Sequence, residues 1–210
     1  MKMTNTLLFA LFAVAAGAAS SQPQSATTNK PYIAFVNVAG ALEKKAFTRG
    51  IDESVPGVMP ARMKAIAVDS IDGASMLPVA ARDSRLPGDA RVTVYFVSNR
   101  DYPPFLSSPG RWAIVNVRGI DKDADAKLYE RRVQKMLLKG LAFACGFGAN
   151  SDRGRCVMAI GSFETLKGID STSASYSPFV AFPLMDYLSA RGLMLGEDET
   201  PSADEPTTAK

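Results

Sequence analysis

Runs of apolar, β-branched and aromatic residues recur along the chain and are separated by polar breaks. Such runs are typical of buried strands, so the pattern predicts strands at residues 32–39, 63–68, 91–97 and 111–117. Between the last two strands, residues 98–110 contain two adjacent prolines and a Pro-Gly pair, which predict a loop.

Helical periodicity predicts three helices. Residues 42–54 form an amphipathic pattern with Phe47 and Ile51 on the inner face, and residues 125–146 form the longest pattern. A final helix is expected at 179–191, although it contains a proline. The order strand, helix, three strands, long helix, loop and helix predicts one α/β or α+β domain.

The long predicted helix has two faces. Its apolar face carries Leu128, Val133, Met136, Leu137, Gly140 and Leu141. Its other face carries basic residues at intervals of four, which are expected to be solvated, namely Lys127, Arg131, Lys135 and Lys139. The long helix should therefore pack one side against the sheet and expose the basic side.

The first twenty residues predict export. An apolar run at 7–16 follows Lys2, is too short to span a bilayer, and leads to small residues suitable for signal cleavage. A secreted or periplasmic protein without a membrane span is therefore expected. The expected organisation is a signal peptide at 1–20, a disordered spacer at 21–30, one domain at 31–196 and a disordered acidic tail at 197–210.

Composition narrows the possible functions. The net charge is only +3 and the basic residues are not clustered, which argues against a nucleic-acid partner. The two cysteines, Cys145 and Cys156, predict a disulfide in an exported protein, with two buried free thiols as the alternative.

The chain contains no histidine. This absence excludes Ser-His-Asp and Cys-His catalysis. The aspartates Asp121, Asp123 and Asp125 lack the glycine and the closing glutamate of a calcium loop, so they predict a solvated helix start. No P-loop or G-x-S-x-G motif is present.

Residues 137–158, LLKGLAFACGFGANSDRGRCVM, resemble the zinc-binding helix and turn of the archaemetzincins, a branch of the metzincin proteases. Metzincins bind zinc through H-E-x-x-H-x-x-G-x-x-H and a later methionine turn. With the motif glycine placed on Gly146, Met158 matches the methionine of the family's C-x-M. The three histidine positions then fall on Lys139, Phe143 and Ala149. The glutamate position falls on Gly140.

The family also has a second, structural zinc site formed by four cysteines. In the same register, which requires one extra residue before Cys156, these positions are Asn150, Cys156, Tyr176 and Phe179. Three of the four cysteines are therefore replaced.

The resemblance implies a single metzincin-like domain with a mixed sheet, a long central helix and a C-terminal helix. It also implies that zinc catalysis has been lost, so the expected protein is no enzyme, has no cofactor, and has a binding or structural role toward an unknown peptide or protein. Two alternatives are an active hydrolase with a non-histidine site and an unrelated secreted α/β binding domain.

The resemblance leaves two alternatives for the region that forms the active cleft in the family. In one, it binds a peptide or a small anion, with Lys139 and Phe143 inside and Trp112 and Tyr102 near the rim. In the other, Phe143 fills the vacated zinc cavity and packs it shut. The strand at 112–117 is expected where the family has an edge strand above the cleft.

Overall fold

A computed structural model describes residues 30–69, 89–120, 125–150, 156–159 and 165–196, together with the backbone of a two-residue strand at 207–208. The predicted signal peptide, nearly all of the spacer, residues Asp121 and Asp123, and most of the acidic tail lie outside the described residues. In the described part, no helix is long and apolar enough to cross a membrane.

A mixed sheet forms the centre of the fold, as predicted, and it has six strands in the described residues. Only β4 is antiparallel to its neighbour, and the strand order is β4-β5-β3-β1-β2-β6. The strands are β1 (Tyr32–Val38), β2 (Met63–Val68), β3 (Ala90–Val97), β4 (Phe105–Ser108), β5 (Trp112–Asn116) and β6 (Thr207–Thr208). The continuous apolar sequence of β1 suits its position, because a central parallel strand is buried on both faces.

The helices agree with the sequence pattern. They are α1 (Lys44–Arg49), which continues as a π-helical turn at Gly50–Ser54, α2 (Ala126–Ala144), α3 (Leu166–Asp170) and α4 (Pro178–Ala190). The side chain of Asp125 caps α2 by accepting hydrogen bonds from the amides of Lys127 and Leu128. The short helix α3 was not predicted.

Two predictions about the chain between β3 and α2 are wrong. The expected loop at 98–110 contains β4, and β4 rather than the strand at 112–117 lies at this edge of the sheet. The edge position explains both errors, because a four-residue strand with one paired side tolerates polar residues and nearby prolines.

The two faces of the sheet bury separate clusters. On β5, Ala113 and Val115 belong to the main core beneath α1 and α2, whereas Trp112 and Ile114 belong to the cluster on the opposite face. This alternation follows from the two-residue period of a strand. It determines which side chains can reach the end of α2.

Candidate functional site at the end of helix α2

Gly146 turns the chain at the end of α2. Helix α2 ends at Ala144, and Gly146 has a φ of 95°, in the left-handed region that favours glycine. The amide of Gly110 donates a hydrogen bond of 2.9 Å to the carbonyl of Ala144. A Cβ on Gly146 would lie 3.3 Å from Cβ of Pro109. The turn is therefore packed against the β4–β5 hairpin.

Lys139 was expected on the solvated face of the long helix, but its side chain is buried. Its side chain is only 1% exposed, and burial lowers the pKa of its amine to about 5. Nearby Lys135 lowers the pKa further, whereas Cys156 raises it. Lys139 is therefore a neutral amine in the core at pH 7, and it cannot serve as the surface charge contact of an open cleft.

Lys135 is buried as well, because α3 covers this part of α2. Its Nζ donates hydrogen bonds to the carbonyls of Ile169, at 2.8 Å, and Asp170, at 3.3 Å, and so caps the end of α3. Arg132 forms a two-pronged pair with the carboxylate of Asp170, at 2.8 and 2.6 Å, and this bonding lowers the pKa of Asp170. Of the predicted basic column, only Lys127 and Arg131 are exposed.

Gly140 is the point of closest approach between α2 and the sheet. A Cβ at this position would lie 2.4 Å from Cγ1 of Val94 and 2.9 Å from Cγ2 of Val115. Neither distance leaves room for a side chain, because real Cβ contacts are longer than 3.0 Å. The position that the family resemblance assigns to the general base is therefore filled by the valines of β3 and β5.

Phe143 joins the end of α2 to the edge strand. Its ring stacks on that of Phe105 in β4, with centroids 4.8 Å apart and planes inclined by 26°. The pair packs on the main core. An apolar contact therefore stands where the resemblance places the second zinc ligand.

Ala149 and Met158 lie on the segments that follow the turn. Ala149 is exposed, whereas Met158 is fully buried. The amide of Asn150 donates to the carbonyl of Met158 at 2.8 Å, and Asn150 forms an isolated parallel bridge with Ala159. Residues 156–159 are thus fastened beside the end of α2.

The sulfur of Cys156 is the acceptor at the centre of this region. It accepts hydrogen bonds from the amides of Ser177, at 3.2 Å, and Met158, at 3.4 Å, and from Nδ2 of Asn150, at 3.6 Å. One buried sulfur therefore ties the chain around Asn150 and Met158 to Ser177, which lies 21 residues further along the chain than Cys156.

The predicted disulfide is not formed. Cys145 and Cys156 are both buried free thiols, so the alternative is the correct one. Cys145 lies at the C-terminal cap of α2, and burial raises its pKa to about 12. The sulfur of Cys156 instead faces the N–H donors of the neighbouring segments.

The other two positions that the resemblance assigns to the structural zinc site have separate environments. The hydroxyl of Tyr176 donates to the carbonyl of Leu138 on α2, and burial raises the pKa of Tyr176. Phe179 lies at the start of α4 and is 82% exposed. The structure therefore brings Asn150 and Cys156 together beside the chain at 176–177, but it leaves Phe179 outside.

Trp112 does not line the candidate cleft, contrary to the expectation. Its side chain lies in the cluster on the opposite face of the sheet, and Tyr102 packs against the same cluster. The cause is the alternation along β5, which points Val115 toward α2 and Trp112 away from it.

The side chains at the three positions that the resemblance assigns to zinc ligands do not fit a zinc ion. Zinc in proteins takes imidazole, thiolate or carboxylate donors. Lys139, Phe143 and Ala149 supply a buried amine, a phenyl ring and a methyl group. Within the described ranges, no group of three or more His, Cys, Asp or Glu side chains could hold a metal ion.

The fold is that of the archaemetzincins. A crystal structure of archaemetzincin from Methanopyrus kandleri matches with a TM-score of 0.61 and 20% identity, covering 77% of this chain and 97% of that one. A second, from Archaeoglobus fulgidus in complex with malonate, matches with a TM-score of 0.51 and 15% identity, covering 71% and 98%. No protein-family model matches the chain, and no curated protein matches it. These matches support the expected metzincin-like fold.

Proposed function

We propose that this chain is an exported, catalytically inactive archaemetzincin-like protein with a binding or structural role. The observation that carries the proposal is the stacking of Phe143 on Phe105. In the register of the resemblance, these two phenyl rings lie where a catalytic domain of this fold would need a metal ligand and space for a substrate. Of the two possible fates of the cleft, the contact favours closure.

The chemistry at the two preceding positions supports the same proposal. Zinc peptidases use a general base beside the metal-bound water. Gly140 has no side chain and no room for one. Lys139 is surrounded by the core, so its amine is shielded from a substrate in solution.

The proposal includes an equivalent of the second zinc site that needs no metal. In a zinc-bound site, the metal would join the segments around positions 150, 156 and 176. Here the N–H···S hydrogen bonds to Cys156 join them, and these bonds need a single sulfur. We infer that these hydrogen bonds hold the segments together in place of the structural metal.

Export and the binding role rest on the sequence. The apolar run at 7–16, followed by small residues, supports a cleaved signal and a secreted or periplasmic location. An exported domain with a closed catalytic centre would act through its surface, on a peptide or protein ligand.

The test is a combined metal and peptidase measurement. Protein lacking residues 1–20 would be produced in zinc-supplemented medium, assayed for metal by mass spectrometry, and incubated with a diverse peptide library. We expect substoichiometric zinc and intact peptides. Cleavage that a chelator abolishes would overturn the proposal, and cleavage that a chelator leaves unchanged would support the alternative of an active hydrolase with a non-histidine site.

A further inference from the structure

In the described part of the chain, strand β2 has an outer edge that is apolar and only partly paired. Its sequence, MKAIAV, contains no proline and one charged residue, Lys64. All six of its residues pair with β1 on the inner side, but only Ile66 and Ala67 pair with β6 on the outer side. An edge of this kind is a template for another strand, because alternate backbone N–H and C=O groups point outward.

The C-terminal part of the chain follows this edge in two places. Just before β2, the amide of Arg62 donates to the carbonyl of Leu193 at 2.7 Å, and the amide of Leu195 donates to the carbonyl of Pro60 at 3.1 Å. The second place is β6, which runs parallel to the end of β2. Thr207 and Thr208 therefore form a strand, although the sequence predicted disorder throughout 197–210.

The two contacts differ in strength. Leu193 is fully buried in the main core, so the first contact is anchored by side-chain packing. The second consists of two residue pairs formed by threonines, whereas β1 and β2 share six pairs. The terminal strand is thus the part of the edge that a competing strand could displace.

Charge indicates what kind of strand would compete. Five of the 21 acidic residues of the chain lie at 197–205, and between residues 3 and 196 the remaining 16 acidic residues are outnumbered by 22 basic ones. Lys64 is exposed on β2 itself. An extended acidic peptide complements this charge, as the chain's own tail does.

We propose that the outer edge of β2 is a docking site for an extended acidic polypeptide strand, which the C-terminal residues of this chain occupy in cis and a partner's strand can occupy in trans. Recognition is by β-augmentation, in which backbone hydrogen bonds provide the contact. This site is separate from the closed centre at the end of α2, so it does not depend on the loss of catalysis.

The first test changes the terminal strand within the full chain. The double variant Thr207→Pro with Thr208→Pro removes the backbone donors, whereas Thr207→Ala with Thr208→Ala keeps them and changes only side chains. Hydrogen exchange at the outward-facing amides of β2 is expected to rise at least tenfold in the proline variant alone. Amides of the central strand β1 serve as the folding control. Equal exchange in both variants would overturn the proposal.

The second test supplies the strand in trans. A synthetic peptide of residues 203–210, ADEPTTAK, would be titrated into each variant by fluorescence anisotropy. It is expected to bind the proline variant at least tenfold more tightly than the alanine variant, and to restore protection in β2. A peptide carrying Asp204→Asn and Glu205→Gln is expected to bind more weakly at low salt. Equal binding to both variants, no binding to the proline variant, or binding without protection of β2 would each contradict the proposal.

Discussion

Phe143, near the end of α2, stacks on Phe105 of the edge strand β4, with ring centroids 4.8 Å apart. Because this pair packs the end of the helix against the sheet edge, Phe143→Ala is expected to lower the free energy of unfolding by about 2–3 kcal/mol, less than for a fully buried phenylalanine because Phe143 is only partly buried. Urea denaturation followed by circular dichroism measures the change.

The matched control for Phe143 is Phe179→Ala, because Phe179 is largely exposed. Its effect should stay within about 0.5 kcal/mol. A double-mutant cycle with Phe105→Ala is expected to give a coupling of about 0.5–1.5 kcal/mol. Additive effects of the two substitutions would show that the stacking contributes nothing.

Gly140→Ala tests the contact between α2 and the sheet. Alanine favours a helix over glycine by about 1 kcal/mol, yet its Cβ would lie 2.4 Å from Val94. We expect overpacking to dominate and stability to fall by about 1–3 kcal/mol. Gly148→Ala is the control, since a Cβ there has no neighbour within 4 Å. A stabilised Gly140→Ala variant would disprove the close approach.

Lys139 should make stability depend on pH. Its pKa is about 5 in the folded protein against an ordinary value of 10.5, so between these values the unfolded chain binds a proton that the folded chain releases. Stability should therefore rise with pH through this window and lose this contribution as pH falls toward 5, with a slope of at most about 1.4 kcal/mol per pH unit from one group.

Lys139→Met is the variant that isolates this effect. Lys135 and Cys156, the charged or titratable neighbours that shift the pKa, remain in place. The variant should be more stable than the parent near neutral pH and should have a flatter pH profile from pH 5 to 8. The exposed Lys127→Met serves as the control. Parallel profiles for the parent and Lys139→Met would mean that Lys139 is charged in the folded state.

The two cysteines are expected to react as free thiols. In denaturant without a reductant, Ellman's reagent should detect two thiols per chain, and one in Cys145→Ala. In the native protein both should be unreactive, because both are buried. A reductant should leave the unfolding midpoint unchanged. Finding no thiols in denaturant would show that the pair is oxidised.

The sequence predicted the strands and helices whose patterns are imposed by the main core. The fully buried β1 and the long helix α2 are examples, since burial requires apolar residues at fixed intervals. Strand β4 was missed because a short edge strand is paired on one side and its sequence, FLSS, need not be apolar. Strand β6 was missed because two threonines in an acidic tail carry no period at all.

At the candidate site, the periodicity of one helix could not predict which of its side chains other segments would bury. Lys135 and Lys139 repeat at the spacing of a solvated face, but α3 and the segment at Cys156 cover them, and these lie far away in sequence. The prediction of a disulfide was wrong for a related reason, because the number of cysteines does not show in which direction their side chains point. In contrast, the turn at Gly146 could be predicted from the sequence, because a glycine at the end of a helix is sufficient to indicate it.

A zinc titration of two proteins by calorimetry tests the central claim most directly. The parent protein without residues 1–20 is compared with the variant Lys139→His, Phe143→His, Ala149→His, with circular dichroism to verify that both are folded. We predict no binding heat for the parent and one zinc per chain for the folded variant, because the chain has the archaemetzincin fold but contains no histidine. Stoichiometric zinc binding by the parent would contradict the loss of the metal centre, and a folded variant that binds no zinc would contradict the assignment of the ligand positions.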